Sequence, residues 1–290
     1  MNDRLLRLYP SAYRASYGQE IADTHRELTA GAPRAVRLRA DADLAAHALR
    51  VRFGLDAAAP AGRLFALAAP LALAVGAVVC GLRLARWYIT LIISPTPAPI
   101  ALTTMEPRDV LGLLLALCVC VGAVTALTGR WAVGAALAAA GLLGTAWQEA
   151  ATMPVVGSPL APVAALLTAL VVLACPPELR PGRGLSATAG AVAGIGWFPV
   201  VAVDADALPV STDYGAWPVL VLAAAGAVVA VRERSRGLRE FGAVAVASPL
   251  LFAHAFIGAG DDSGLIMALV LILPVAAVLT AGVHAVRHRG

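Results

Sequence analysis

From Leu64 onward the chain is a succession of eight apolar stretches separated by short polar or Pro/Gly-rich breaks. They lie near 64–82, 109–128, 131–148, 159–176, 185–203, 215–231, 240–259 and 264–286. Each is apolar all round and rich in Ala and Leu, so each reads as a helix with no solvent-facing side. About 20 helical residues cross a hydrocarbon core of about 30 Å. Most of the stretches are long enough, and the two shorter ones, 131–148 and 215–231, can cross if flanking residues snorkel. Only 14% of the residues are charged, against about 25% in a soluble domain. A soluble globule of this length could not cover its surface with so few, which excludes an ordinary cytosolic enzyme. The expected fold is all-α: a polytopic membrane bundle of about eight transmembrane helices at 64–290, behind a short helical prefix at 1–63.

The loops carry a second pattern. Arg130 lies between the second and third stretches. Arg180 and Arg183 follow the fourth, Arg232, Arg234, Arg236 and Arg239 the sixth, and Arg287 and Arg289 end the chain. The alternate loops carry Glu149, then Asp204, Asp206 and Asp213, then Asp261 and Asp262. Arginine resists translocation. The arginine-bearing loops are therefore expected on the cytoplasmic side of the cell membrane, and eight crossings put both termini there. All 22 basic residues are arginine, and 18 acids leave a net charge of +4. Topology accounts for this excess, and no nucleic-acid partner is read from it.

The first external loop departs from the alternation. Arg83 and Arg86 precede Trp87, Tyr88 and an apolar tail to Ile93. They fit an interfacial helix with both aromatic rings at headgroup level, or a long tilted span with both arginines facing the bundle. The interfacial placement is expected, because an arginine at the bilayer centre costs about 2.5–3.5 kcal/mol on insertion scales. Buried arginines would instead mark a functional site. Pro95, Pro97 and Pro99 then predict an extended external turn.

Few other groups can carry chemistry. His254 and His284 fall in the seventh and eighth stretches. A proton relay among His254, Glu149, Asp261 and Asp262 is conceivable, and nothing in their spacing requires it. Cys80, Cys118, Cys120 and Cys175 lie in apolar runs and read as small buried hydrophobes. There is no HExxH, P-loop or GxSxG motif, so no catalytic residue, metal ligand or cofactor site is expected. Gly190, Gly194 and Gly196 read as a close-packing face of the fifth stretch. Residues 162–171 and 274–283 agree at eight of ten positions, which a duplicated four-span unit or chance among Ala, Val and Leu would each explain.

The prefix is better patterned. Ser11 is placed to cap a helix on which Tyr13, Tyr17, Ile21 and Leu28 share a face. A second amphipathic stretch, near 35–54, presents Leu44, Ala48, Val51 and Leu55 among five arginines counted from Arg34. Two helices over 11–54 are expected, lying against the anionic inner leaflet. The segment LLRLYPSAYRASYGQE resembles the LYPxxWRxRYGxE prefix of many actinobacterial multi-pass membrane proteins, through Leu8, Tyr9, Pro10, Arg14, Tyr17, Gly18 and Glu20. Tyr13 stands where that pattern has tryptophan, and Ala15 or Ser16 where it has arginine. A related prefix precedes some ABC-type permeases. The resemblance implies a membrane protein with a cytoplasmic prefix. The first functional expectation is a non-enzymatic accessory, regulatory or scaffold component whose prefix meets a cytoplasmic protein or the bilayer. The alternative is a transporter or permease-like component.

Overall fold

The computed structural model describes residues 3–156, 159–176, 178–179, 182–205, 216–233, 237–259 and 263–287. Arg180, Asp206, Asp213, Arg234, Arg236, Asp261, Asp262 and Arg289 lie outside the described residues. The described residues are all-helical, with no strand among them. They divide into two compact units, residues 1–63 with 174–179, and residues 64–173 with 180–290.

In the first unit, α1 (Asp3–Leu6) leads into α2 (Ser11–Thr29) and α3 (Arg34–Arg52). The two expected prefix helices are present. Pro10 takes the position before α2, so Ser11 is its first residue and makes no capping bond. The chain reverses between α2 and α3 at Gly31, whose φ of 69° favours a residue without Cβ. The face of α2 that is buried differs from the expected one. Gly18, Ala22 and His25 are covered, whereas Tyr17 and Leu28 are exposed. Gly18 lies on this buried face, where a Cβ would meet only the Arg14 side chain, one turn earlier in the same helix. On α3, Ala48 is fully buried.

The second unit begins with α4 (Pro60–Ile93), 34 residues long, which at 1.5 Å per residue spans roughly 50 Å. It continues with α5 (Ala98–Thr103), α6 (Pro107–Leu127), α7 (Trp131–Val156), α8 (Leu160–Leu173), α9 (Arg183–Asp204) and α10 (Ala216–Arg232). The last three elements are α11 (Leu238–Ala247), α12 (Pro249–Ala259) and α13 (Ser263–Arg287). α4 supplies the centre of the core, with Leu73, Val75, Val78 and Leu82 buried. Three of the described helices, α4, α6 and α9, are long and apolar enough to cross a membrane. A fourth crossing is available if α11 and α12, bent by 60° at their junction, form one broken span. Pro249 causes that break: it has no N–H to continue the ladder. The Ser248 hydroxyl donates instead to the Ala245 carbonyl at 2.9 Å.

The outside of this unit is apolar as well. On α8, Val163, Leu166, Leu167, Leu170 and Leu173 are exposed, while Ala164, Ala165, Thr168 and Ala169 are buried. A helix with its small residues inward and its leucines outward suits lipid, where close backbone approach drives association. α6 and α7 show that approach. Gly129, with φ 112°, turns the chain between them, and they pack along their length. A Cβ on Gly122 would sit 2.5 Å from the Ala138 nitrogen, and one on Gly134 would run into the backbone of Ala126. By contrast, Gly190 and Gly194 face no described atom within 4 Å, and only Gly196 packs, against Val78 and Pro218. The expected close-packing face therefore belongs to α6 and α7, and α9 shares little of it. Pro99 lies in the first turn of α5, so the expected external turn is shorter than the proline run. Pro162 sits in the first turn of α8 and Pro274 in the middle of α13. The two similar segments thus occupy different places in their helices.

Candidate functional site

The charged residues flagged in the sequence meet in one cavity of about 410 Å³ within the second unit. Arg83 and Arg86 enter it from α4, Thr145 and Glu149 from α7, and His254 from α12, with Cys80 beside them. Its remaining wall is apolar and includes Ala116, Leu142, Leu250 and Ile257.

Arg83 and Arg86 are each paired with an acid, and both arginine side chains stay more than a third exposed. α4 runs unbroken through both to Ile93, and each guanidinium faces a carboxylate from another helix. Arg86 Nε donates to Asp204 Oδ2 at 2.8 Å, a charge-assisted bond of ordinary strong length. Asp204 is the last residue of α9, and its side chain is 13% exposed. Arg83 Nη1 lies 3.6 Å from Glu149 Oε1, beyond hydrogen-bond length, and both side chains are more than a third exposed. The first contact is a hydrogen bond and the second a longer ion pair. Gly112 of α6 makes room for Arg83: a Cβ there would stand 2.5 Å from Nη2. Gln148, next to Glu149, donates from Nε2 to the Arg108 carbonyl at 2.6 Å and ties α7 to the start of α6. Trp197 packs on Gly81 and holds α9 against α4 one turn before the arginines.

Asp204 had been read as a loop acid, and sequence offers no signal for its pairing with a residue 118 positions away. Of the four groups in the imagined relay, Glu149 and His254 share the cavity, and Asp261 and Asp262 lie outside the described residues. His284 lies on α13, elsewhere in the chain from the cavity-lining segments. Among the described residues no three His, Cys, Asp or Glu side chains are grouped to hold a metal ion. A second ionic group sits on α11, where Arg239 pairs with Glu233 and Glu240, the latter buried.

The first unit holds a separate feature. Tyr9 is buried, and its hydroxyl lies 2.8 Å from His47 Nδ1 of α3. Tyr9 stacks on Tyr13 with ring centroids 5.4 Å apart, and Tyr13 meets Tyr17 at 4.9 Å. His25 Nε2 lies 2.8 Å from Asp41 Oδ1 and joins α2 to α3 a second time. The tyrosines expected on one face of α2 line an open cleft of about 530 Å³, along with Glu20, Asp43 and His47. Leu8 and Pro10 are half-buried beside Tyr9, and Arg14 points to solvent. Burial pushes the Tyr9 phenol up to about 12, with Tyr13 adding to the effect and Arg50 opposing it.

No protein-family model matches this chain, and no curated protein or solved structure matches it either.

Proposed function

We propose that the chain is a multi-pass protein of the cell membrane, with eight crossings and both termini cytoplasmic, and that its bundle binds a small polar solute as a permease-like, non-enzymatic component. The observation that carries this reading is the cavity. Two arginines, Glu149 and His254 converge on one space between helices that are otherwise apolar. Ionisable groups among apolar membrane helices are expensive, and they accompany substrate and ion pathways. A volume of 410 Å³ falls in the range of small-molecule sites. This shifts the weight from the accessory role expected first to the transport alternative.

Thiol labelling tests the reading. Thr145→Cys, in a chain whose four native cysteines are replaced by serine, should react with a membrane-impermeant methanethiosulfonate added outside intact cells. Absence of labelling, or labelling from the cytoplasmic side alone, would remove the solute-binding role. A second reading, an accessory component that docks a cytoplasmic protein through the prefix, draws support from the open tyrosine cleft between α2 and α3. The two roles are compatible, since the cleft and the cavity belong to different units.

A further inference from the structure

We infer that α3 lies along an anionic lipid surface through its outer face, an apolar stripe edged with arginine. This rests on the membrane placement proposed above and adds what the prefix binds.

The stripe comes from helical spacing. Leu38, Ala42, Ala45 and Leu49 follow at i, i+4, i+7 and i+11, and Phe53 stands one turn beyond. Leu38 and Phe53 are more than half exposed, and Leu49 is exposed as well. This is not the face expected from the sequence. Leu44, Ala48, Val51 and Leu55 are buried or half-buried, with Leu44 in the wall of the tyrosine cleft. α3 therefore carries apolar side chains on two sides, and the rest of the first unit covers only one of them.

Charge says what suits the other. Arg34 lies one turn before Leu38 and Arg52 one turn after Leu49, so both follow one edge of the stripe, with Arg39 on the other edge. All three are exposed, and no acid among the described residues pairs with them. The acids of α3 are engaged elsewhere: Asp41 Oδ1 stands 2.8 Å from His25, and Asp43 lines the cleft. An apolar stripe between arginines fits the boundary of headgroup and acyl chain, where leucine and phenylalanine leave water and guanidinium groups meet phosphate. Each arginine near an anionic surface adds to the attraction. The chain also keeps this surface close. Residues 53–59 join α3 to α4, a reach of about 25 Å, so the bilayer that α4 enters is present at high effective concentration. A cytoplasmic protein has no such tether. The tyrosine cleft lies on a different side of α3, so the lipid contact leaves it available.

The experiment uses the full chain, its four native cysteines replaced by serine, in nanodiscs of phosphatidylcholine with or without phosphatidylglycerol. A nitrobenzoxadiazole label is placed at Leu49→Cys on the stripe, at Asp43→Cys on the cleft side or at Leu117→Cys on the exposed face of α6, and nitroxide-bearing lipid is the quencher. The label at position 49 should be quenched about threefold more in anionic discs than in neutral ones. Added salt, or Arg34→Gln combined with Arg52→Gln, should remove that difference. The label at position 43 should stay unquenched in both discs. The label at position 117 should be quenched alike in both, which also shows that the variants are inserted. Equal quenching at position 49 in the two discs, or equal quenching at positions 49 and 43, would overturn the lipid contact. So would a label at position 49 that neither lipid nitroxide nor aqueous iodide reaches, the result expected if a protein or a second copy covers the stripe. Loss of quenching at position 117 would remove the membrane placement itself, whereas failure at position 49 alone leaves that placement standing.

Discussion

Tyr9 shows how one residue sets the prefix. Its ring is covered, its hydroxyl meets His47, and it starts the stack that continues through Tyr13 and Tyr17. The phenol is neutral at ordinary pH, and burial raises its affinity for the proton in the folded state. The stabilisation from the neutral form is therefore complete below about pH 10, the value of an unburied tyrosine. It is lost as the pH rises through about 12. Tyr9→Phe removes the hydroxyl and should cost about 0.5–1.5 kcal/mol at neutral pH. It should also abolish the alkaline loosening. Protease cleavage within residues 11–30 of the membrane-embedded protein, followed from pH 9 to pH 12, measures both effects. A wild type and variant that loosen in parallel would show that this phenol does not hold the hairpin. Sequence placed Tyr9 in a motif and said nothing of its partner. His47 stands 38 positions away, and the register between α2 and α3 alone decides which side chain Tyr9 meets. Arg83 and Arg86 were legible as anomalies because charge in an apolar run is costly. Their partners were illegible for the same reason as His47.

At the level of elements, the apolar stretches announced the helices well. The run at 185–203 is α9 to within two residues at its start and one at its end, and the run at 240–259 is the broken pair α11 and α12. Hydropathy follows composition, so it finds where a helix can lie, while the face it turns inward depends on its neighbours. Gly190 and Gly194 matched a packing motif and pack on no described atom, whereas Gly122 and Gly134 touch backbone. The contrast gives a prediction with its own control. Gly134→Val forces side-chain atoms into the backbone of α6 and should cost about 1–3 kcal/mol, the usual penalty for overpacking. Gly190→Val enters open space and should change stability by less than about 0.5 kcal/mol. Thermal unfolding in one detergent compares them. Equal losses would mean that the α6–α7 approach is not what stabilises this part of the bundle.

For the whole molecule, the cavity bears on the number of crossings. Its walls come from late in α4, the middle of α6 at Ala116, the second half of α7, the start of α8 and the second half of the broken pair, at Leu250 to Ile257, and the early part of α6 meets the same end through Gly112 against Arg83 and the Arg108 carbonyl on Gln148. Asp204, the final residue of α9, joins them through Arg86. Late and early segments alternate along the chain, so successive helices point in opposite directions and bring the same end of the bundle together. Arg130, Arg183, Arg232 and Arg239 lie at the other ends of these helices. The proposed count of eight would carry this alternation through α10 and α13, which pack on each other. Shorter helices such as α8, with 14 residues, measure about 21 Å and would cross where the bilayer thins or flanking residues snorkel. Reporter fusions at Arg130, Arg180 and Arg234 should therefore read cytoplasmic, and fusions at Asp206 and Asp262 external. The fusion at Asp206 matters most, because it reports the side on which Asp204 and the cavity lie. If Asp206 and Arg130 read alike, a crossing among α7, α8 and α9 has been miscounted and the cavity does not open outward. If Asp206 is external while Asp262 is cytoplasmic, the error lies in α10 or in the broken pair, and the six segments around the cavity keep their alternation only as far as α9.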